Sequence, residues 1–260
     1  MTYAKIRYDR VGDVAVIALD DPATLNAMSD MLGGELRAAL ARAEIEARAV
    51  VLGTTGRAFC SGANLGAGGP DIADPERDAG ARLERLINPL ILQMRALSIP
   101  IVTAIKGAAA GVGCGMAIAG DLIVAGEGAF FYQAFAKVGL TPDGGSTYLL
   151  AKAIGRVRAM ELMLLGGKLP ARQAFDWGLV NRVVADDQVE AVALEIAQTL
   201  ATGPRSIGMI KASAWAALES TLEVQLGIER AWQREAGRTE DYVEGVLSFR
   251  EKRLPAFRGR

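Results

Sequence analysis

The stretch 106–121, KGAAAGVGCGMAIAGD, carries no charge between its end residues and is punctuated by Gly107, Gly111, Gly113 and Gly115. It follows the apolar run 99–105, IPIVTAI, which reads as a buried strand. A strand that ends in glycines and passes into a helix of small residues leaves backbone N–H groups pointing beyond the turn. That layout suits an anionic oxygen, although one such turn by itself serves close helix packing just as well.

A second strand-and-turn lies upstream. Residues 50–53, VVLG, read as a short buried strand and are followed by 59–65, FCSGANL. Two turns of this kind can aim two N–H donors at one point. Together the segments resemble the crotonase, or enoyl-CoA hydratase/isomerase, superfamily, whose F-x-x-G-A-D-L motif stands here as FCSGANL and whose G-x-G-C turn stands as Gly111-Val112-Gly113-Cys114. The likeness continues in order through 125–130 (AGEGAF), 138–145 (VGLTPDGG) and 177–180 (WGLV). Repeated strand-to-helix units alone indicate an α/β protein and leave an open doubly wound sheet possible. The resemblance implies a ββα spiral core over 1–200, holding an acyl-CoA site, and a C-terminal helical oligomerisation region over 201–260.

At 260 residues, 51% of them hydrophobic, the chain can bury a large core, which excludes a disordered protein. Its 29 basic and 30 acidic side chains leave a net charge of −1, so nothing draws it in bulk to nucleic acid or to an anionic membrane. Residues 1–10, MTYAKIRYDR, carry charges where a signal peptide needs an apolar run, and no stretch supplies about eighteen apolar residues for a span. The expectation is a cytoplasmic protein with neither a membrane nor a nucleic-acid partner. Cys60 and Cys114 read as small packing residues. The chain has no histidine, which removes the commonest general base and the usual activator of Ser and Cys nucleophiles. Acid–base chemistry falls to carboxylates or lysine.

The alternation over 11–19 predicts a strand, Ser29 the cap of a helix bearing Leu32, Leu36 and Leu40, and 82–97 a helix kinked by Pro89. A Gly, Pro and Asp-rich loop over 66–80 follows one donor turn and is expected to border the substrate channel. Beyond Gly203-Pro204 the periodicity is helical, with one helix marked by Leu222, Val224, Leu226 and Ile228 and another starting at Thr239. In the resembled family such helices build a homotrimer, often a dimer of trimers.

The resemblance assigns the two oxyanion donors to the backbone N–H groups of Ala63 and Val112, holding the carbonyl oxygen of an acyl-CoA thioester. Coenzyme A then arrives as part of the substrate and no separate cofactor is implied. Ser61, Gly62, Asn64, Leu65 and Gly111 fall in the binding turns, Phe135, Leu140 and Pro142 beside the acyl group. Lys252, of this subunit or a neighbour, is a candidate for the phosphates, as are Arg57 and Lys5. The two glutamates of the family's hydratases align with Gly115 and Phe135, which disfavours conventional hydration.

Asp143 is the carboxylate left in the right segment, and the run from Phe131 to Asp143 is similar to the phenylacetate-pathway isomerases, where this position carries the acid/base aspartate. Its other reading is a turn or helix cap. The resemblance therefore implies an acyl-CoA isomerase with a one-aspartate proton shuttle, acting on a linear enoyl ester or a ring epoxide. An acyl-CoA-binding protein without turnover, a hydratase, and an aspartate-nucleophile dehalogenase or thioester hydrolase are the alternatives. The nucleophilic route lacks its usual histidine.

Overall fold

The computed structural model describes residues 2–64, 71 and 73–260. Strands β1 (Ile6–Val11) and β2 (Val14–Leu19) form an antiparallel hairpin that closes at Val11 and Val14, with Gly12 at φ 61° in the turn. The single strand expected over 11–19 is thus only the second arm. β1 escapes the pattern because its polar residues face outward and leave little alternation to read. Helix α1 (Asp30–Glu46) starts as expected at Ser29, whose hydroxyl accepts from the Leu32 N–H, and buries Leu32, Leu36 and Leu40.

The chain then winds in a spiral. Strand β3 (Ala49–Thr54) is followed by an extended segment at Phe59 and Cys60, and then by α2 (Asn88–Ala96). In place of a simple kink at Pro89, the turn just before α2, Leu83–Ile87, opens into a wide π-helical turn. A proline has no N–H to return to that turn, and the ladder accommodates the loss by widening. The next turns comprise β4 (Ile101–Ile105), β5 (Ala108–Ala110) and α3 (Val112–Ile118), then β6 (Leu122–Gly126), β7 (Phe130–Tyr132) and α4 (Ser146–Ile154). After α5 (Arg156–Leu165) come β8 (Lys168–Pro170), α6 (Ala171–Asp176), β9 (Arg182–Val184) and α7 (Val189–Ala201).

Each turn of the spiral lays its first strand in one sheet and its second in another. The large sheet has the order β1-β2-β3-β4-β6-β9 and is parallel except for β1; the small one has the order β5-β7-β8. Cys60 extends the small sheet by pairing in parallel with Ala109. β5 is a strand where a glycine turn running straight into the helix was expected. Three alanines carry no strand signal, and here pairing with β7 overrides propensity. One face of the large sheet packs on α7, whose Val189, Ala193, Ala197 and Ala201 lie against Val51, Val102 and Val124. The other face meets α1, α2 and α3 in the main core.

Three helices complete the chain, α8 (Ser206–Ala217), α9 (Leu222–Ala236) and α10 (Glu240–Glu251). Lys211 ties α8 to the core through an ion pair with Asp121 at 2.9 Å and through the Met94 and Ile99 carbonyls; the Trp215 indole N–H donates to the same carboxylate. Among the described residues, no helix is long and apolar enough to cross a membrane.

Candidate active site

The small sheet sets the level of the two glycine turns. Cys60 accepts from the Ala110 N–H and donates to the Ala108 carbonyl, so the two strands run side by side in register. The contact continues past the pair Cys60 and Ala109 and brings Gly62 beside Gly111, with Ala63 and Val112 the next residue in each turn. The backbones do touch there: a Cβ added at Gly111 would come 3.5 Å from the Gly62 Cα, and one added at Gly62 would come 3.2 Å from the Ala110 carbonyl oxygen. Both glycines have positive φ, 101° and 52°, which a side chain would strain. Gly113 is equally constrained, since its Cβ would lie 2.6 Å from the Cys60 Cβ.

The Val112 N–H opens α3, where no helical carbonyl is available to it and the helix dipole favours negative charge. The neighbouring amides are occupied, Gly111 donating to the Tyr132 carbonyl and Ser61 to the Leu25 carbonyl. Among the described residues, the backbone hydrogen bonds around these turns engage neither the Ala63 nor the Val112 N–H. The sequence-predicted turn residues Ser61, Gly62, Ala63, Gly111 and Val112 are therefore brought together. Ser61 also uses its hydroxyl structurally, donating to the Thr24 carbonyl. Asn64 is half-buried beside them, while Leu65 and most of the glycine-rich part of the 66–80 loop lie outside the described residues.

The third turn of the spiral supplies Asp143. After β7 the chain makes a short 3-10 turn, Phe135–Val138, and reaches the Asp143-Gly144-Gly145 bend that starts α4. Gly144 and Gly145 both have positive φ, and the Asp143 carbonyl accepts from the Ser146 N–H at 3.0 Å. The carboxylate does not cap the helix: the N-cap is Gly145 and no side chain bonds there. Instead Asp143 Oδ1 is buried without a hydrogen-bond partner among the described residues. Burial pushes this carboxyl up from 3.8 to about 6. It lies near enough to Cys60 for its charge to add to the burial that raises that thiol to about 12.

Gly144 rests on the first turn of α3. A Cβ on Gly144 would sit 3.3 Å from Val112 Cγ2 and 3.4 Å from the Val112 Cα. From the opposite side, a Cβ on Gly115 would lie 2.9 Å from the Gly144 carbonyl carbon and closer still to its oxygen. The position aligned with a hydratase glutamate is thus filled by backbone. At the second such position, Phe135 is 8% exposed and its ring tip would be 3.6 Å from a Cβ on Gly111. One apolar ring packs on the donor turn where a second carboxylate was absent from the sequence.

The remaining predicted residues are more scattered. Leu140 is 44% exposed, and Pro142 is half-buried next to Asp143. Phe131, where the isomerase-like run begins, is 1% exposed within the main core. Lys5 is paired with Asp21 at 3.0 Å. Lys252 follows α10 as its C-cap with φ 56° and is exposed. Sequence reasoning missed two buried polar groups in the segments flanking Asp143, the Gln133 amide and the Ser146 hydroxyl, both without hydrogen-bond partners among the described residues. It also missed the contact between Gly115 and Gly144; the Gly-Gly pair at 144–145 was its one visible signal.

Residues 9–260 match the enoyl-CoA hydratase/isomerase family. A 1,2-epoxyphenylacetyl-CoA isomerase from Escherichia coli (strain K12) is 40% identical over 250 residues, covering 95% of each chain. A Rhodobacter capsulatus protein named "Probable enoyl-CoA hydratase" is 40% identical over 265 residues, covering 100% of each. An enoyl-CoA hydratase/isomerase crystal structure from Cupriavidus metallidurans CH34 superposes with a TM-score of 0.91 at 29% identity, over 100% of this chain and 98% of that one. With the expected spiral present and the match running through nearly every residue, the chain belongs to the enoyl-CoA hydratase/isomerase family.

Proposed function

We propose that this enzyme is an acyl-CoA isomerase that moves a proton with one aspartate. The observation that carries the reading is Asp143 itself: a buried carboxyl, unpartnered at Oδ1, raised to about 6, next to the turns of Ala63 and Val112. The Ala63 and Val112 N–H groups would hold the thioester oxygen and stabilise negative charge as it develops there, an effect worth about 3 kcal/mol per donor in other enzymes. For a 3-enoyl ester, Asp143 takes a proton from C2, the electrons pass into a dienolate on the held oxygen, and the same carboxyl returns the proton to C4. The product is the 2-enoyl ester. At pH 7 most of a carboxyl that titrates near 6 is ionised, and it is a stronger base than an ordinary aspartate.

Coenzyme A enters as part of the thioester, and the chemistry requires no other cofactor. Hydration requires a second acid–base group beside the thioester. Gly115 has backbone where a side chain would stand, and Phe135 presents a ring, so neither supplies one. The E. coli relative's name supports including an aryl epoxide among the substrates. The subunits are proposed to assemble as a homotrimer or a dimer of trimers through the C-terminal helices, where Leu222, Leu226 and Phe249 stand 70%, 56% and 84% exposed. Sedimentation at one subunit mass would exclude that assembly.

The decisive test is incubation with β,γ-unsaturated and aryl-epoxide CoA esters in deuterated water. The wild type is expected to shift the double bond or rearrange the epoxide, with label marking the carbon that is reprotonated. Asp143→Asn keeps the shape and is expected to lower kcat by about 10³-fold. Undiminished turnover in that variant ends the proposed role. Tight binding of every ester with neither isomerisation nor proton exchange in the wild type would instead mark a binding protein without turnover.

A further inference from the structure

We infer that Gly115 is a positioning residue: its missing side chain lets the Gly144 backbone seat on α3, and this contact sets the Asp143 carboxylate at its height beside the Val112 amide. The contact is two-sided. A Cβ at Gly115 would press to within 3.1 Å of the Gly144 Cα and 2.9 Å of its carbonyl carbon, while a Cβ at Gly144 would press on Val112 at 3.3 to 3.4 Å. Backbone cannot yield as the end of a flexible side chain does. Every residue from 112 to 118 in α3 is buried, so the helix has nowhere to retreat, and a larger residue 115 must lift the 143–145 bend. Asp143 is next to Gly144 in the chain and moves with it.

Among the described residues, no donor bonds to the carboxylate's inner oxygen, Oδ1, to hold it in place. Its location is set by the seating of the bend, through the Ser146 N–H bond to the Asp143 carbonyl and the contact of Gly144 with α3. Gly145 adds a brace on the far side, where its Cβ would meet Ile91 at 3.4 Å and Leu149 at 3.5 Å. Lifting the bend lets water reach the carboxylate and carries it away from the proton it must take. The kinetic part of this inference rests on the role proposed for Asp143; the positional part does not.

The test uses Gly115→Ala and Gly144→Ala, which strain the contact from its two sides, and Gly34→Ala as a control on the exposed face of α1, where nothing lies within 4 Å. Two quantities are read for each. One is kcat and KM with a β,γ-unsaturated CoA ester. The other is the Asp143 titration by carboxyl ¹³C NMR, assigned by its loss in Asp143→Asn. In both strained variants the midpoint is expected to fall from about 6 toward the ordinary aspartate range. Displacement of a catalytic group by about 1 Å costs on the order of 100-fold, so kcat should fall by about that factor with KM within about twofold. The control should change neither. An unmoved midpoint overturns the inference, whatever happens to stability or rate. A lowered midpoint with full kcat upholds the positioning and removes Asp143 from the chemistry.

Discussion

Two buried aspartates, one in the spiral core and one in the C-terminal helical layer, have opposite surroundings. Asp143 Oδ1 has no hydrogen-bond partner among the described residues, and burial raises the group to about 6. Asp241, 2% exposed, accepts from the backbone N–H groups of Arg205, Arg258 and Gly259 at 2.7 to 2.8 Å. Burial is the largest influence there too and pushes upward, yet the three N–H groups and the charge of Arg48 together hold this carboxyl below its ordinary value. The supply of donors separates the two: three backbone N–H groups turn toward Asp241, and none reaches Asp143 Oδ1 among the described residues. In the core, the Ala63 and Val112 N–H groups are engaged by none of the backbone hydrogen bonds among the described residues. In the C-terminal layer the three N–H groups are turned onto Asp241, which clasps the chain end to the start of α8.

The layers also differ in how they are held. The core is closed by contact between backbones, whereas α8 to α10 are fastened by a few polar anchors and leave apolar side chains outward, with a groove of about 890 Å³ among Met209, Leu226, Trp232, Tyr242 and Phe249. The largest effect expected in either layer is the loss of about 10³-fold in kcat for Asp143→Asn, equivalent to about 4 kcal/mol of barrier. Next is Lys211→Met. It strips the partner from the carboxylate of Asp121 in a pair whose side chains are 4% and 15% exposed. Removing one member of a buried pair costs about 3 to 5 kcal/mol, and the lower end applies because Asp121 keeps the Trp215 indole and the Ile101 N–H. Urea denaturation should report that loss. An unchanged midpoint would mean that the C-terminal layer does not depend on this anchor.

Asp241→Asn should cost about 2 kcal/mol, since an amide accepts less strongly than a carboxylate and brings N–H donors of its own. The pH dependence checks the sign. A carboxyl lowered in the fold contributes stability that is present above its ordinary pKa of 3.8 and is lost as the pH falls below it. The wild type's advantage over Asp241→Asn should therefore shrink on acidification through that range. An advantage that persisted undiminished at the lowest pH would assign the clasp to packing alone.

Where the sequence was readable, the reason is that backbone geometry dictates residue type. FCSGANL and GVGC were recognisable because the turns at Gly62, Gly111 and Gly113 tolerate little but glycine, and Ser29 and the leucines of α1 were recognisable because capping and periodicity are local. β1 and β5 were not, since a strand of outward polar residues and a strand of three alanines have no local signature until a neighbour pairs with them. Asp143 could be read as cap or base because the choice depends on where Gly144 rests, a contact between residues far apart in sequence. The anchors Lys211 to Asp121 and Asp241 to Gly259 were invisible for the same reason. Lys252 was assigned by family likeness alone, and its place as the C-cap of α10 carries no local signal of phosphate binding.

The smallest expected effect bears most directly on the comparison, because it asks whether the open carboxyl of the core destabilises the fold. Well below pH 3.8 Asp143 is protonated both folded and unfolded, and the group is neutral toward folding. Between about 4 and 6 the folded chain keeps a proton that the unfolded chain, titrating near 3.8, has released, so stability falls as pH rises through that window and is level above it. Two pKa units correspond to about 3 kcal/mol, and solvent at this half-buried site reduces the expectation to about 1 to 2 kcal/mol. Asp143→Asn should match the wild type near pH 4 and exceed it by that amount near pH 8, becoming more stable where it has lost activity. Asp241→Asn should show the reverse, weaker than the wild type at pH 8. Thermal denaturation of the two variants across pH 4 to 8 separates the cases. If both variants lost stability together at high pH, the two carboxyls would be equivalent anchors and the division between an open and a satisfied aspartate would fail.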